Sequence, residues 1–266
     1  MFVILSGSSG SGKNTVIKEM QKTKDNLVLM PTFTTREKRD GEVEGKPYFY
    51  ITKEQFQEKI KNNEMIEHEL IHGNFYGASY TVFEEYISNG NIIIKDIGVE
   101  GAQNLQKKLS DKTQILKIFL IVKKAELKKR LKERGEKQIK LRLKRYGYEK
   151  SQIDKFDYIL TNVDLEKTSK LINCLISLGE KDFYFKKEIL KYNDYKVKYY
   201  MNKLAMGETL SPVKIAVVDN KAYVLKGAEK LIASFVSNMP VAKIILDKKV
   251  NTKKYLHTIN EICEDE

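Results

Sequence analysis

The chain has 266 residues, of which 41% are hydrophobic and 32% charged, and its formal net charge is +12. This length can bury one large core or two smaller ones, and we expect two. No apolar run approaches the roughly 20 residues of a membrane span, so no membrane partner is expected. Two cysteines and three histidines exclude a disulfide framework or a metal-ligand cluster, which favours a cytoplasmic protein.

The predicted elements alternate between strands and helices. Buried strands are predicted at 2–5, 27–30, 91–97, 115–122 and 158–160. Helical spacing is found at 15–22, 55–62, 83–88, 125–145 and 165–178. The segment 31–50 is polar and shows no clear helix or strand pattern. Residues 64–80 are predicted to form short strands and turns. This alternation predicts an α/β fold, a doubly wound parallel sheet with helices on both faces.

The pattern changes beyond about residue 180. Residues 181–200 are rich in Lys and Tyr and are predicted to form a linker helix. Residues 201–266 follow a β-turn-β-α-β order, with the turn at Asp219-Asn220, which predicts a small α+β domain. The expected domains are therefore 1–180 and 201–266, joined by 181–200.

A phosphate-binding loop is predicted directly after the first strand. The segment Gly7-Ser8-Ser9-Gly10-Ser11-Gly12-Lys13 fits the pattern G-x-x-x-x-G-K. Backbone N–H groups of such a P-loop surround phosphates, and the lysine reaches their β and γ oxygens. Residues 7–15 are therefore predicted to bind ATP. Asn14, followed by Thr15, replaces the usual Mg²⁺-binding Ser or Thr, and its amide oxygen is a candidate ligand for Mg²⁺.

A strongly basic segment lies between residues 120 and 150. It holds 13 Lys or Arg and 4 Glu, which is +9 of the total +12. Three interpretations are open at this point: a solvated helical face, a surface for nucleic acid, or a lid over the phosphates of a small nucleotide.

The segment Thr32-Phe-Thr-Thr-Arg36-x-x-Arg39-x-Gly-Glu42 and the following Tyr48-Phe-Tyr50 resemble guanylate kinase. That family's pattern is S-x-T-T-R-x-x-R-x-G-E-x-x-G-x-x-Y-x-F. The resemblance continues in unbroken order to about residue 178, through Glu67, Tyr76-Gly77, Asp96 with Gly101, Arg130, Arg134, Arg142 and Asn162. It implies a P-loop kinase with a basic lid that transfers a phosphoryl group from ATP to GMP, with Mg²⁺ bound to ATP.

The resemblance also implies roles for individual residues. The catalytic set is Lys13, Arg36 and the lid arginines Arg130, Arg134 and Arg142. Asn162 joins the P-loop in binding ATP. The GMP-binding set is Thr32, Arg36, Arg39, Glu42, Tyr48, Glu67, Tyr76 and Asp96. Arg36 and Arg39 suit a phosphate dianion, and a carboxylate at Glu67 suits guanine N1–H and N2–H₂ better than adenine. Asp96 is also expected to orient Mg²⁺ through water.

Four positions depart from the family pattern. Thr32 replaces Ser, Ala78 replaces a Ser or Thr, Gly98 replaces an Asp, and the lid is short. The acceptor could therefore be GMP, dGMP or a modified purine monophosphate. Two alternatives stay open: a catalytically degenerate interaction module, and a nucleic-acid-binding protein that uses the basic face of 120–150. Oligomeric state is not indicated.

The C-terminal segment is similar to the ParB/sulfiredoxin-like superfamily, on residues 210–215 and 222–233. The pattern there is a strand ending in G-x-x-R-x-x-A, and Lys230 follows Gly227 where the arginine is usual. This resemblance implies a second phosphate site at Gly227 and Lys230. A structural or oligomerisation domain is the alternative.

Overall fold

The structure is a computed structural model that describes residues 1–71, 73–178, 182–186, 194–247 and 249–258. The chain forms two compact units. The N-terminal unit comprises 1–7 and 13–117, and the C-terminal unit comprises 8–12 and 118–266. None of the described helices has the length and apolar character needed to cross a bilayer.

The elements of the N-terminal unit are, in chain order, β1 (Phe2–Gly7), α1 (Lys13–Gln21), β2 (Leu27–Leu29), β3 (Thr32–Thr34), β4 (Val43–Glu44), β5 (Pro47–Tyr50), α2 (Lys53–Lys61), β6 (Met65–Ile71), β7 (Asn74–Ser79), α3 (Tyr80–Ser88), β8 (Ile92–Asp96) and α4 (Val99–Leu109). Strand β8 lies between β1 and β2 and is parallel to both. Phe2 to Leu5 are fully buried, as expected for a strand covered on both faces.

A five-stranded sheet follows in the same unit, in the order β4-β5-β3-β7-β6. The sequence does not predict β3, β4 and β5, because two to four residues in a polar segment are too few to show an alternating pattern. Helix α4 was also missed. Its buried residues Val99, Ala102, Leu105 and Leu109 recur every three or four positions, so the helical signal was present.

The C-terminal unit contains β9 (Ile115–Ile121) from Ile118 onward, α5 (Lys124–Glu133), α6 (Ile139–Ser151), β10 (Tyr158–Thr161), α7 (Leu165–Ser177), β11 (Phe183–Lys186), α8 (Asp194–Ala205), β12 (Val213–Val218), β13 (Lys221–Lys226), α9 (Ala228–Val236), β14 (Lys243–Ile245) and β15 (Tyr255–Thr258). The α/β fold class is confirmed, with a mixed sheet in this unit: β10 is parallel to β9 and to β14, and β12 is parallel to β14. Strand β13 is antiparallel to β12, and β15 is antiparallel to β11.

The segment beyond residue 180 differs from the prediction at two strands: β11 replaces part of the linker helix, and β15 follows the predicted β-turn-β-α-β order. Residues 183–186 form β11 instead of a linker helix, since Phe183-Tyr184-Phe185 is a strand-forming sequence. Only Asp194–Ala205 is helical, and residues 181 and 187–193 lie outside the described residues. The predicted turn at Asp219-Asn220 is confirmed, with both residues at positive φ between β12 and β13.

The strands of residues 213–258 belong to the same sheet as β10. Strand β14 pairs with β10 through Tyr158↔Lys243 and Ile159↔Ile244. The sheet then continues through β12, β13, β11 and β15. The division into domains at 180 and 201 stays a prediction.

Candidate active site

The catalytic lysine candidate, Lys13, is the first residue of α1, and residues 8–12 separate it from the end of the apolar β1. Lys13 Nζ donates to the carbonyl of Gly7 at 2.6 Å and lies 3.6 Å from the carboxylate of Asp96. Asp96 ends β8, which is parallel to β1, so the carboxyl ends of the two strands bring the pair together. The Lys13 ammonium therefore lies beside the carboxyl ends of both strands, in contact with a carbonyl and near a carboxylate.

The remaining loop residues, 8–12, group with the C-terminal unit. Gly12 has φ +92°, and a Cβ there would lie 2.6 Å from Asn162 Nδ2. Asn162 Nδ2 donates to the carbonyl of Ser11 at 2.7 Å in a buried contact. The loop backbone is therefore held by Asn162, whose side chain would have to move to admit a Cβ at residue 12. Direct binding of ATP by Asn162 stays a prediction.

Arg130 lies beside this part of the loop. Its Nη2 donates to the carbonyl of Asn162 at 3.2 Å, and its Nε donates to Glu126 at 2.9 Å. The Nη1 atom lies 3.7 Å from the Cβ position of Gly12. The structure thus brings one of the predicted lid arginines to the phosphate-binding loop.

The other two lid arginines gather around Glu136 instead. Arg142 Nε donates to Glu136 at 2.7 Å, and Arg134 Nη2 lies 3.5 Å from the same carboxylate. A backbone hydrogen bond from Gln138 and the nearby arginines lower the pKa of Glu136. Arg134 is 63% exposed. The lid helices α5 and α6 are separated at Gly135, which has φ +71°.

Half of the predicted acceptor residues lie on one face of the five-stranded sheet. Residues paired in register point to the same face, and so do alternate residues along a strand. Thr32 pairs with Tyr48, Thr34 pairs with Tyr76, and Ala78 pairs with Glu67. Four of the eight predicted GMP-binding residues therefore share this face: Thr32, Tyr48, Glu67 and Tyr76.

Arg36 follows β3 and is fixed by a network on that side of the sheet. Its Nη2 donates to both carboxylate oxygens of Glu42, at 2.8 and 3.0 Å. Tyr50 donates its hydroxyl to Glu42 at 2.8 Å. The guanidinium also lies over the rings of Tyr48 and Tyr50, at 5.2 and 5.5 Å from their centroids.

Glu42 is thus placed as the residue that orients Arg36. The hydrogen bond from Arg36, followed by the backbone N–H of Arg39 and the Tyr50 hydroxyl, lowers the pKa of Glu42 to about 2. Tyr50 was not assigned to the site from the sequence. Its alternate position from Tyr48, which puts both rings on one face, was the available signal.

Arg39 differs from Arg36. Its backbone N–H donates to Glu42 at 2.8 Å, while its side chain is exposed and makes no ion pair within the described ranges. The structure therefore gives no guanidinium pair of Arg36 with Arg39, and the phosphate clamp formed by both stays a prediction.

Glu67 lies in a mostly buried position on β6, against the first turn of α4. Its Oε2 is 3.7 Å from the Cβ position of Gly101. Burial raises the pKa of Glu67, and this effect is opposed by the charge of Lys95 and by the backbone of Ala78. The positive end of α4 also favours the carboxylate. Gly98, the N-cap residue of α4, has no side chain that could compete for this position.

Lys95 is a functional candidate that is not among the residues predicted from the sequence. It is only 2% exposed, and its Nζ donates to Thr32 Oγ1 at 2.7 Å. Burial lowers the pKa of Lys95 to about 8, against the attraction of Glu67 and Asp96. A lysine within the run Ile92-Ile93-Ile94-Lys95 was the signal, since a buried strand seldom contains an ammonium group.

Oxygen donors suitable for Mg²⁺ are present near the start of α1. Asn14 is exposed, and the carboxylate of Asp96 is 30% exposed. In the described part of the chain, no three His, Cys, Asp or Glu side chains form a metal centre. Mg²⁺ bound to a nucleotide takes most of its ligands from phosphates and water, so an amide and a carboxylate fit it.

The predicted C-terminal phosphate site has its polar groups engaged within the fold. Gly227 is the N-cap of α9 with φ +90°. Lys230 donates to the hydroxyl and the carbonyl of Ser211, and its Nζ lies 5.5 Å from the ring centroid of Tyr200. Phosphate binding there stays a prediction.

A strand, a glycine-rich loop, a lysine and a helix, joined to a parallel sheet, define a P-loop nucleotide-binding protein. The family model for guanylate kinase matches residues 1–178. The chain is 41% identical over 178 residues to a guanylate kinase from Prochlorococcus marinus (strain MIT 9312), covering 65% of this chain and 95% of the relative. The chain therefore belongs to the guanylate kinase family and is a phosphotransferase.

Two further similarities agree with this assignment. A guanylate kinase from Thermotoga maritima is 36% identical over 182 residues, which cover 66% of this chain and 85% of that protein. The crystal structure of guanylate kinase from Anaplasma phagocytophilum superposes with a TM-score of 0.53 at 29% identity, over 66% of this chain and 84% of that one. The family model ends at residue 178, and the ParB/sulfiredoxin-like resemblance of the C-terminal segment gains no support.

Proposed function

We propose that the protein transfers the γ-phosphoryl group of ATP to GMP, with dGMP or a modified purine monophosphate as alternative acceptors. The products are ADP and the nucleoside diphosphate. The observation that carries the proposal is the arrangement around Arg36. A guanidinium fixed by Glu42 and two tyrosines stands beside a sheet face that also bears Thr32 and Glu67.

The acceptor residues divide into two chemical groups. Arg36, with the hydroxyls of Tyr48 and Tyr76, offers donors to the acceptor phosphate, and Arg39 adds positive charge from the surface. Glu67 offers a carboxylate to guanine N1–H and N2–H₂. Adenine presents an unprotonated N1 to the same carboxylate, so it would leave Glu67 without its hydrogen bonds.

The donor residues position and neutralise the triphosphate. The loop of residues 7–15 supplies backbone N–H groups, Lys13 supplies an ammonium, and Arg130 supplies a guanidinium next to Gly12. Arg134 and Arg142 add charge when the lid closes. Mg²⁺, held by the phosphates and by Asn14 or through water by Asp96, would supply further neutralisation of the phosphate charge.

The chemistry places few demands on acid–base groups. A phosphate oxygen of GMP forms a bond to the γ-phosphorus of ATP, and the bond from that phosphorus to the bridging oxygen of ADP breaks. The attacking oxygen of a dianionic phosphate carries no proton, so no side chain has to remove one. Catalysis then consists of alignment and stabilisation of charge on the transferred group.

The two alternatives make different use of the same residues. A degenerate interaction module would not need Lys13 and Arg130 beside an intact loop. A nucleic-acid-binding protein would rely on the basic segment 120–150, but two of its arginines are paired with Glu136 in the structure. Membership in the guanylate kinase family favours the kinase.

A coupled assay with ATP, Mg²⁺ and GMP, dGMP, IMP, AMP, CMP or UMP tests the proposal. We expect turnover of GMP above AMP. Replacing Lys13 or Arg36 with Ala should lower kcat/KM by roughly 10²–10⁴, the scale for removal of a charged donor from a phosphoryl-transfer site.

The matched controls are Lys18→Ala on α1 and Lys38→Ala beside Arg36, which remove exposed ammonium groups. They should keep nearly full activity. A preference for AMP would contradict the role of Glu67. Absence of turnover together with salt-sensitive binding to RNA or DNA would instead support the nucleic-acid alternative.

A further inference from the structure

Lys95 occupies a position in β8 where the fold alone would favour an apolar residue. It follows Ile92, Ile93 and Ile94 in a strand that lies between β1 and β2, and it is 2% exposed. Burying an ammonium group is costly unless hydrogen bonds and opposite charge compensate it. The contacts of Lys95 therefore have to compensate the cost of burying its charge.

The hydrogen bond between Lys95 and Thr32 can have only one direction. A protonated lysine has three N–H donors and no acceptor, so Lys95 must donate and Thr32 Oγ1 must accept at 2.7 Å. The hydroxyl hydrogen of Thr32 therefore points away from Lys95. Within the described part of the chain, this hydroxyl makes no other hydrogen bond, and Thr32 is only half-buried. It can donate to a ligand on the acceptor face.

We propose that Lys95 is a positioning residue for base recognition, which fixes the hydroxyl of Thr32 as a donor to the oxygen at purine position 6. This inference rests on the proposed function, in which Thr32 is one of the GMP-binding residues, and it adds the role of Lys95. A fixed donor pairs with the 6-oxo group of guanine. It opposes the 6-amino group of adenine, which presents hydrogens at the same place.

Two features of the site agree with this role. Ala78, on the same sheet face, carries no hydroxyl, so Thr32 has to act as a donor without help from that position. Lys95 also attracts Glu67, the residue proposed to hold the opposite part of the guanine edge. One buried ammonium thus supports both a donor and an acceptor for guanine.

The test compares GMP with 6-thioguanosine monophosphate, in which sulfur replaces the 6-oxygen while N1–H and N2–H₂ remain. Sulfur is a weak acceptor, so the native enzyme should prefer GMP in kcat/KM. The variants are Lys95→Met, Thr32→Val and the double variant. Lys95→Met keeps an unbranched side chain that is one atom shorter and removes the ammonium group. Thr32→Val keeps the shape and removes the hydroxyl.

We expect each single variant to reduce the preference for GMP over the thio analogue by about tenfold, the value of one hydrogen bond to a substrate. The loss should appear in the KM for the acceptor, with kcat and the KM for ATP within about threefold of native. The double variant should show no further loss of preference, because both substitutions remove the same contact.

A merely structural role for Lys95 would lower activity on both acceptors equally, and an unchanged ratio would overturn the inference. If Lys95→Met fails to fold, an unchanged ratio in Thr32→Val overturns it just as well. Thr32→Ser is the control that keeps the hydroxyl and should keep the preference. A native enzyme that does not phosphorylate GMP would instead be a failure of the proposed function.

Discussion

The side-chain amide of Asn162 donates to the backbone carbonyl of Ser11 across 151 residues of sequence, at 2.7 Å. Asn162 directly follows β10, and Ser11 lies in the phosphate-binding loop. The contact is buried, so its loss would leave a carbonyl without its partner. The conformation of the loop therefore depends on a residue that follows β10, far from the loop in the sequence.

Replacing Asn162 with Ala should weaken ATP binding. The loss of a buried hydrogen bond costs about 1–3 kcal/mol, which corresponds to a rise of roughly 5- to 150-fold in the KM for ATP. The KM for GMP should change by less than about twofold. Thr161→Ala, on the exposed neighbouring residue of β10, is the control. Steady-state kinetics with each substrate varied in turn would measure both effects, and an equal rise for GMP and ATP would contradict the assignment.

Gly12→Ala should abolish ATP binding through two separate effects. The residue has φ +92°, and the added Cβ would lie 2.6 Å from Asn162 Nδ2. The control Gly90→Ala carries a similar backbone cost at φ +72°, with no atom within 4 Å of the Cβ. Each substitution should cost about 1 kcal/mol of unfolding free energy from the backbone alone. Calorimetric ATP titration should show loss of binding only in Gly12→Ala, and retained binding would mean that the loop can shift.

Glu42→Gln should change both the acceptor site and the acid stability. Its pKa is about 2 in the folded chain, against an ordinary 4.5, so its ionised form stabilises the fold above pH 4.5. This contribution falls as the pH decreases from about 4.5 to about 2. Denaturant titrations should therefore show a native-minus-variant difference that is constant above pH 5 and disappears toward pH 2.

The same variant should raise the KM for GMP by about tenfold at pH 7, because Arg36 loses the carboxylate that orients it. Glu37→Gln removes a carboxylate from the same loop while keeping the contacts of Glu42, and it serves as the control for both measurements. A stability difference that persists unchanged to pH 2 would show that the Arg36–Glu42 pair is not the source.

The sequence predicts those parts of the fold and the site whose residues are contiguous along the chain. The spacing of residues predicts the P-loop of residues 7–13 and the acceptor segment from Thr32 to Glu42. Apolar periodicity predicts the helices α1, α2, α3 and α7. The sequence does not predict β3, β4 and β5. Strand β3 pairs with β5 and β7, and β4 pairs with β5, so each of them depends on a neighbouring strand. Short strands draw their stability from such non-local pairs, which no local pattern contains.

The sequence also does not predict which residues pair with the charged side chains. The lid arginines were predicted as one set, but Arg130 contacts Asn162 while Arg142 contacts Glu136. Lys95 could be read only as an anomaly within a strand, since its partner Thr32 is 63 residues away. The identity of an ion pair depends on tertiary distance, so sequence supplies candidates and the fold selects among them.

The C-terminal strands offer the last prediction, because they bear on the domain boundaries expected at 180 and 201. Tyr158 in β10 is buried, pairs with Lys243 of β14, and has the Lys243 ammonium 5.3 Å from its ring centroid. A chain ending at Leu178 would lose this pairing and expose one edge of β10. We expect its melting temperature to fall by at least about 5 °C and its tendency to aggregate to rise. A chain ending at Thr258 is the control and should melt like the full protein.

In calorimetry the full chain should unfold residues 118–258 in one transition, since β10, β14 and β12 are continuous in one sheet. A separate transition that disappears in the chain ending at Leu178, with the other transition unchanged, would instead establish residues 201–266 as an independent domain.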